Sequence, residues 1–418
     1  MIATGEIVTQ QTPRPATRAW IRIAFAMFAV GWGANQFSPM LIVYRHELNL
    51  SAAAVAGLFA IYAATLVPGL LIGGPASDRF GRRAVVLPLV ALSPIATVLL
   101  IAAPRNLTVL AASRALAGLC SGVVFGSATA WVHELSHGTA PGSGARRAAL
   151  ALSAGFGLGP VVAAVLAQWA ADPLRVPYLP HLVIGTLATF LVIGAPSVRT
   201  SGEPGKPGEP AARTPTVWPP AAIRTPRFWL AVAPAAPLVF GSVSTAIVVL
   251  PEDVTSAKSL SAGFAGLITA LAFAAGLGVQ PAARRLTAST GLVAGLTAAA
   301  IGTAVGVAAV QGGGRVLAGV AAMFLGLAYG LCLVSGLRQA ERLAGPADRG
   351  AVVACYYALA YAGFAAPYLA AGLGALTNKA DALAIMAGAA VVLALWTAGY
   401  AARERPPIGG GAIVRPPA

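Results

Sequence analysis

The sequence predicts an all-α membrane protein with twelve transmembrane helices in two similar six-helix halves. Three observations predict it. The 418-residue chain is 57% hydrophobic and 10% charged, with a mean hydropathy of +0.78, a balance outside the range of soluble domains. Twelve apolar runs, each of the roughly 20 residues that a bilayer crossing needs, are centred near residues 31, 63, 93, 120, 160, 187, 239, 270, 300, 327, 361 and 391. The runs lack the period-2 alternation of barrel strands, and a helix satisfies its own backbone hydrogen bonds in lipid.

Charge orients the helices. The chain carries 28 Lys and Arg against 13 Asp and Glu, a net charge of +15. In a soluble protein that excess points to nucleic acid; here it follows topology. With the N-terminus cytoplasmic, 21 basic residues fall at the cytoplasmic ends of the runs and six outside (Arg45, Arg105, Arg175, Lys258, Arg315 and Lys379), while Arg114 lies inside a span. The positive-inside rule therefore puts both termini in the cytoplasm of a plasma (inner) membrane protein. No nucleic-acid partner is expected, and the chain is expected to act as a monomer within the bilayer.

In chain order, residues 1–18 read as a polar cytoplasmic tail, with no signal peptide. Residues 19–196 hold six spans. Residues 197–226 form a Pro/Gly-rich segment that cannot build a core and reads as a flexible cytoplasmic linker. Residues 227–402 hold six more spans, and 403–418 form a second cytoplasmic tail. The other connections are short. Cys120, Cys332 and Cys355 all sit in apolar runs as small packing residues, and no His/Cys metal spacing occurs.

The two halves echo each other. A shift of 202 residues sets Gly74 on Gly276, Asp78 on Gln280, Gly81 on Ala283, and the pair Arg82-Arg83 on Arg284-Arg285. A second echo links Ala154-Gly155-Phe156 with Ala362-Gly363-Phe364, each followed by a proline, Pro160 or Pro367.

The densest charge cluster lies between the second and third runs: Gly74, Asp78, Arg79, Gly81, Arg82 and Arg83. The spacing Gly-x-x-x-Asp-Arg-x-Gly-Arg-Arg resembles the loop 2–3 signature of the major facilitator superfamily of secondary transporters. The resemblance implies two six-span halves around a midplane cleft. It also implies that Asp78 faces the N-terminal end of the eleventh span, near Gly350, where the helix dipole favours a carboxylate. Arg82 would pair with Glu134 at the inner end of the fourth span. Gly74 and Gly81 would allow close helix approach and a tight turn.

Arg114 is the sole ionisable residue well inside a span, and intramembrane charges are costly and usually functional. Arg114-x-x-x-Gly118 resembles the fourth-span motif of proton-coupled members, which implies a coupling role. The structural alternative is snorkelling, because Arg114 lies about 10 Å from the outer end at the usual helical rise. Gly155-x-x-x-Gly159-Pro160 resembles the fifth-span antiporter motif and favours export, although the glycines that usually follow are Ala163 and Ala164. Ordinary small-residue packing is the competing account.

All thirteen acids fall in loops or at span ends. Glu47, Glu134 and Asp172 are the nearest titrating candidates, with His46, His133 and His181, which also read as span-end residues. The resemblance also implies a cleft lined chiefly by spans 1, 4, 7 and 10. Its expected substrate contacts are Trp32, Asn35, Gln36, Ser242, Thr245, Tyr329, Tyr357 and Tyr361, with Ser38, Ser244, Ser335 and Tyr356 beside them. Asn35 and Gln36 lead, because an unpaired amide in lipid is expensive. An interhelical hydrogen bond would satisfy them equally well.

These features point to an exporter of small lipophilic, neutral or anionic compounds, of the drug or secondary-metabolite kind. It would exchange them for protons, with no cofactor beyond the proton gradient. An importer or facilitator of a small metabolite on the same fold is the alternative. An intramembrane enzyme would need a catalytic pair at membrane depth, a receptor would need a soluble signalling domain, and an ATP-driven pump would need a Gly-x-x-x-x-Gly-Lys-Ser/Thr loop; none occurs.

Overall fold

The computed structural model describes residues 18–136, 139, 143–196, 221–251, 261–344 and 349–403. The tails at 1–17 and 404–418 and most of the expected linker, 197–220, lie outside them, as do Lys258 and the acids at 252 and 253. Among the described residues the fold is wholly helical. The first half comprises α1 (Trp20–Asn35), α2 (Phe37–Leu48), α3 (Ala52–Phe80), α4 (Arg82–Ala102), α5 (Leu107–Glu134), α6 (Ser143–Trp169) and α7 (Leu179–Ile193). The second comprises α8 (Pro226–Ala231), α9 (Pro237–Ser244), α10 (Ser261–Gly278), α11 (Gln280–Arg285), α12 (Ala288–Ala308), α13 (Gly314–Leu343), α14 (Arg349–Ala362), α15 (Ala366–Leu376) and α16 (Lys379–Arg403).

Nine of the described helices are long and apolar enough to cross a membrane. One of them, Ala288–Leu343, spans 56 residues and contains a reversal. Its glycines supply the turn: Gly312 (φ 118°) and Gly314 (φ 69°) adopt conformations that side chains oppose. α12 and α13 therefore pack side by side. The first run is broken at Gln36 into α1 and α2. Pro39 explains the break, since it has no N–H to offer the carbonyl of Asn35 four residues earlier. In the seventh run, α9 passes into a π-helical turn at Thr245–Val249.

The packing repeats between halves. α3 lies along α5, and α10 lies along α13; α1 lies along α6, and α9 along α14. The glycines that permit the first of these crossings recur in register. A Cβ at Gly118 would collide with the Tyr62 carbonyl, and one at Gly122 with that of Leu66; one at Gly326 would strike the Ala272 carbonyl, and one at Gly330 that of Gly276. Likewise Gly155 faces the Phe28 carbonyl and Gly363 the Pro237 carbonyl. The sequence echo of Ala154–Phe156 with Ala362–Phe364 is thus an echo of packing.

The halves meet along two seams, α6 against α10 and α3 against α14 and α15. At one end of the first seam the Gly263 N–H donates to Gln168 Oε1 at 3.0 Å.

Candidate functional site

The charged turn is built as the spacing implies. Gly81 (φ 94°, ψ 144°) ends α3 and lets α4 start at once. Arg82 is then the hub: Nη2 lies 2.7 Å from Asp78 Oδ1 and 2.9 Å from Glu134 Oε1, Nε donates to Glu134 Oε1 at 3.0 Å, and Nη1 donates to Ser77 Oγ at 2.5 Å. One guanidinium thereby ties the ends of α3, α4 and α5. Arg82 and Glu134 are largely buried, whereas the Asp78 side chain is 45% exposed. Arg79 lies over the Phe80 ring, and Arg83 is half-buried. The expected contact of Asp78 with the eleventh span falls at Gly350, whose surroundings lie outside the described side chains. One expectation is corrected: a Cβ at Gly74 would meet nothing within 4 Å, whereas one at Gly73 would sit 2.7 Å from Val123 Cα. Close approach depends on Gly73, because that face of α3 turns toward α5.

At the break between α1 and α2 the polar side chains are spoken for. Asn35 Nδ2 donates to the Phe156 carbonyl at 2.8 Å, and Ser38 Oγ donates to Asn35 Oδ1 at 2.6 Å. The Phe156 carbonyl is free to accept because Pro160, four residues on, has no N–H. The second half repeats the device more loosely: Ser244 Oγ donates at 3.4 Å to the Gly363 carbonyl, four residues before Pro367. The motif Gly155, Gly159, Pro160 thus has a structural use here, seating α6 on α1; a Cβ at Gly159 would lie 2.8 Å from the Trp32 carbonyl. Gln36 Nε2 donates to Thr97 Oγ1 at 3.3 Å, leaving its Oε1 without a partner, as is the indole N–H of Trp32. Thr245 Oγ1 donates to the Gly241 carbonyl, Ser242 is buried, and Ser335 is buried with its hydroxyl unpartnered.

His181 stands in the first turn of α7, at a span end as expected, but it is 1% exposed and packed inside the bundle. Its imidazole occupies the space left by Gly33, where a Cβ would collide with it, and reaches Thr97 Oγ1 at 2.6 Å and Ser93 Oγ at 3.5 Å. Gln36, Thr97, His181 and Ser93 form one buried polar chain linking α1, α4 and α7. The other titrating candidates are where the sequence put them. His46 and His133 are exposed, Glu47 lies 3.6 Å from Arg105, and Asp172 lies 2.8 Å from Arg175. The hydrogen bond from Arg175 holds the Asp172 carboxyl below its usual range.

Arg114 is 2% exposed, so it does not snorkel. Its guanidinium carbon lies 4.5 Å from the Phe37 ring centre and 4.6 Å from that of Tyr62, and Nη1 donates to the Ala34 carbonyl at 3.2 Å. Two such ring contacts are worth about 0.5–2 kcal/mol each, against several kcal/mol for taking an ion out of water. Gly118, one turn on, brings Tyr62 close by letting α3 touch α5.

Aromatic side chains join the two halves. Centroid separations run from Phe125 to Phe156 (5.5 Å), to Phe273 (6.3 Å), to Tyr329 (5.8 Å), to Phe240 (5.8 Å), to Phe364 (4.9 Å) and to Phe59 (5.2 Å) and Tyr62 (5.9 Å). Tyr361 stacks on Phe240 at 4.4 Å, and Tyr357 and Tyr356 extend the row. The row crosses between halves at Phe156–Phe273 and again at Phe364–Tyr62. Of its members the sequence reading named Tyr329, Tyr356, Tyr357 and Tyr361 and missed the phenylalanines. Rings make up 7% of the chain, and nothing in the sequence around these phenylalanines separates a ring that faces protein from one that faces lipid.

The profile of the Major Facilitator Superfamily matches residues 23–247, more than half of the chain. The chain belongs to this family. Its fold agrees: it superposes on the nucleoside transporter NupG with a TM-score of 0.68 over 93% of this chain and 100% of that one, at 11% identity. A point mutant of NupG superposes with a TM-score of 0.70 over 91% and 99%, also at 11% identity. Identity this low establishes the common fold and leaves substrate open. Comparison with curated proteins finds no match.

Proposed function

We propose that this major facilitator is a twelve-span secondary transporter, cytoplasmic at both termini, that exports small lipophilic compounds in exchange for protons. The observation that carries the reading is the aromatic row. It runs along surfaces that the two halves present to each other and offers planar, apolar faces at both crossings. Such rings bind lipophilic and planar solutes by burial and stacking. Rocking of one half against the other would part the row and expose it to each side in turn. The twelve-span count follows if Trp20–Leu48 and Pro237–Val249 each cross once and Ala288–Leu343 crosses twice. The Arg114 frame supports proton coupling, and Gly155-x-x-x-Gly159-Pro160 supports export. The buried chain through His181 gives a titratable group inside the bundle, which the acids do not.

Uptake of a small metabolite is the second reading. The likeness to a nucleoside transporter favours it, because stacked rings would hold a planar base equally well. Proteoliposomes loaded with a lipophilic fluorescent cargo separate the two: export predicts movement driven by an opposing pH gradient. A protein that ignores the gradient sinks proton exchange, and one that moves only nucleosides inward sinks export.

A further inference from the structure

We infer that Arg114 is a binding subsite for a carboxylate group on the transported solute. The inference rests on the transporter reading above and narrows its substrate class. Three observations converge on it. First, Arg114 is nine-tenths buried or more, yet no acid among the described residues pairs with it. Of those acids, Glu47 is beside Arg105, Asp78 and Glu134 are beside Arg82, Asp172 is beside Arg175, Asp381 accepts from Asn378, and Glu341 lies in the last turn of α13. A permanent charge in a dry bundle demands an anion. Second, Phe37 and Tyr62 cover the guanidinium from within 5 Å, so an anion must approach along its edge. Edge-on approach in the plane of the guanidinium is how a carboxylate is held by two parallel hydrogen bonds. Third, the edge itself holds an atom without a partner: Arg114 Nε is buried and accepted by nothing among the described residues.

The aromatic surroundings fix the rest of the ligand. Tyr62 is at once the ring over Arg114 and the end of the aromatic row, 5.9 Å from Phe364. A solute with a carboxylate on an aromatic ring would place its charge at Arg114 and its ring among Tyr62, Phe59 and Phe364. One guanidinium, with no second cation against it among the described residues, suits a single negative charge better than a phosphate.

The test uses the full-length protein in lipid nanodiscs in chloride-free buffer, with benzoate, its neutral isostere benzamide, and chloride as probes. Thermal unfolding is followed by tryptophan fluorescence. Benzoate should raise the midpoint saturably, and benzamide and chloride should bind at least about tenfold more weakly, as befits a charge-assisted hydrogen bond. Arg114→Gln should lose the benzoate effect, and Arg114→Lys, which keeps the charge but not the fork, should retain a weakened one. Absence of a benzoate shift overturns the proposal, as does an equal response to benzamide, an equal response to chloride (an inorganic anion site), or full benzoate binding by Arg114→Gln. Where neither variant folds, the three probes on the wild-type protein decide alone. Efflux of a neutral lipophilic dye is measured in parallel. Dye transport without benzoate binding sinks the subsite only; benzoate binding without dye transport sinks the lipophilic-export reading only.

Discussion

At the residue scale, Arg82 gathers several contacts on one side chain. It contacts acids on two helices, yet one of those acids, Asp78, is half in solvent. Asp78→Asn should therefore cost little stability, within about 1 kcal/mol for an exposed pair. It should lower transport several-fold, since the signature acid would no longer bias which side opens. A wild-type rate for Asp78→Asn in proteoliposomes would show that the turn is merely structural. Arg82→Ala differs, because it removes the ion pair with the largely buried Glu134 together with the contacts to Asp78 and Ser77. It should lower the melting temperature measurably, by about 1–3 kcal/mol of lost stability. Asp172 gives a pH signature. Its pKa is depressed in the fold by Arg175, so its contribution is present at neutral pH and fades as pH falls through its lowered value. Asp172→Asn should flatten acid destabilisation only slightly, by under about 1 kcal/mol, because the pair is exposed. A large loss of stability at pH 7 in this variant would contradict that account.

At the scale of elements, the helices are held by carbonyl-to-glycine contact along α3–α5 and α10–α13, since lipid removes most of the hydrophobic drive for association. A side chain at Gly122 or Gly330 must push two backbones apart. Gly122→Leu and Gly330→Leu should each cost about 1–3 kcal/mol or more and reduce the folded fraction in size-exclusion profiles. Gly74→Ala should be tolerated, because nothing lies near its Cβ. Equal damage from Gly74→Ala and Gly122→Leu would refute the assignment of the packing face. The proline-freed carbonyls of Phe156 and Gly363 are the other shared device, each closed by a polar side chain from the broken first or seventh run.

At the scale of the molecule, the proposed alternating access would require the aromatic row to open. Phe59 and Phe364 meet across the halves with ring centres 5.2 Å apart. A double variant with Phe59→Cys and Phe364→Cys should cross-link under oxidant, stop transport, and regain it on reduction. Transport that persists in the cross-linked protein would mean that this seam stays closed throughout the cycle. Topology is tested separately: a cysteine placed at residue 206 should resist an impermeant reagent added outside intact cells.

Composition and motif spacing carried the helical membrane class and the family, because each follows from local hydrophobic length or from a contiguous signature; the Arg82–Glu134 pair, 52 residues apart, was implied only by the family resemblance. The repeat of Gly155 and Gly363 was also legible, as identical small residues before a proline. The phenylalanines of the aromatic row were not. Phe125, Phe156, Phe273 and Phe364 are far apart in the chain, and an apolar ring in a lipid-embedded helix faces lipid or protein with nothing local to say which. The same holds for His181 and for Asn35. The span-end position of one was legible but not that it fills the space beside Gly33; for the other the sequence left substrate contact and interhelical hydrogen bond open, and it closes a carbonyl that a distant proline left open. The missing counter-charge of Arg114 belongs to the same class of fact. A sequence shows that a charge lies within a span, but only the packing of α2, α3 and α5 around it shows what pairs with that charge, because pairing is a property of neighbours in space.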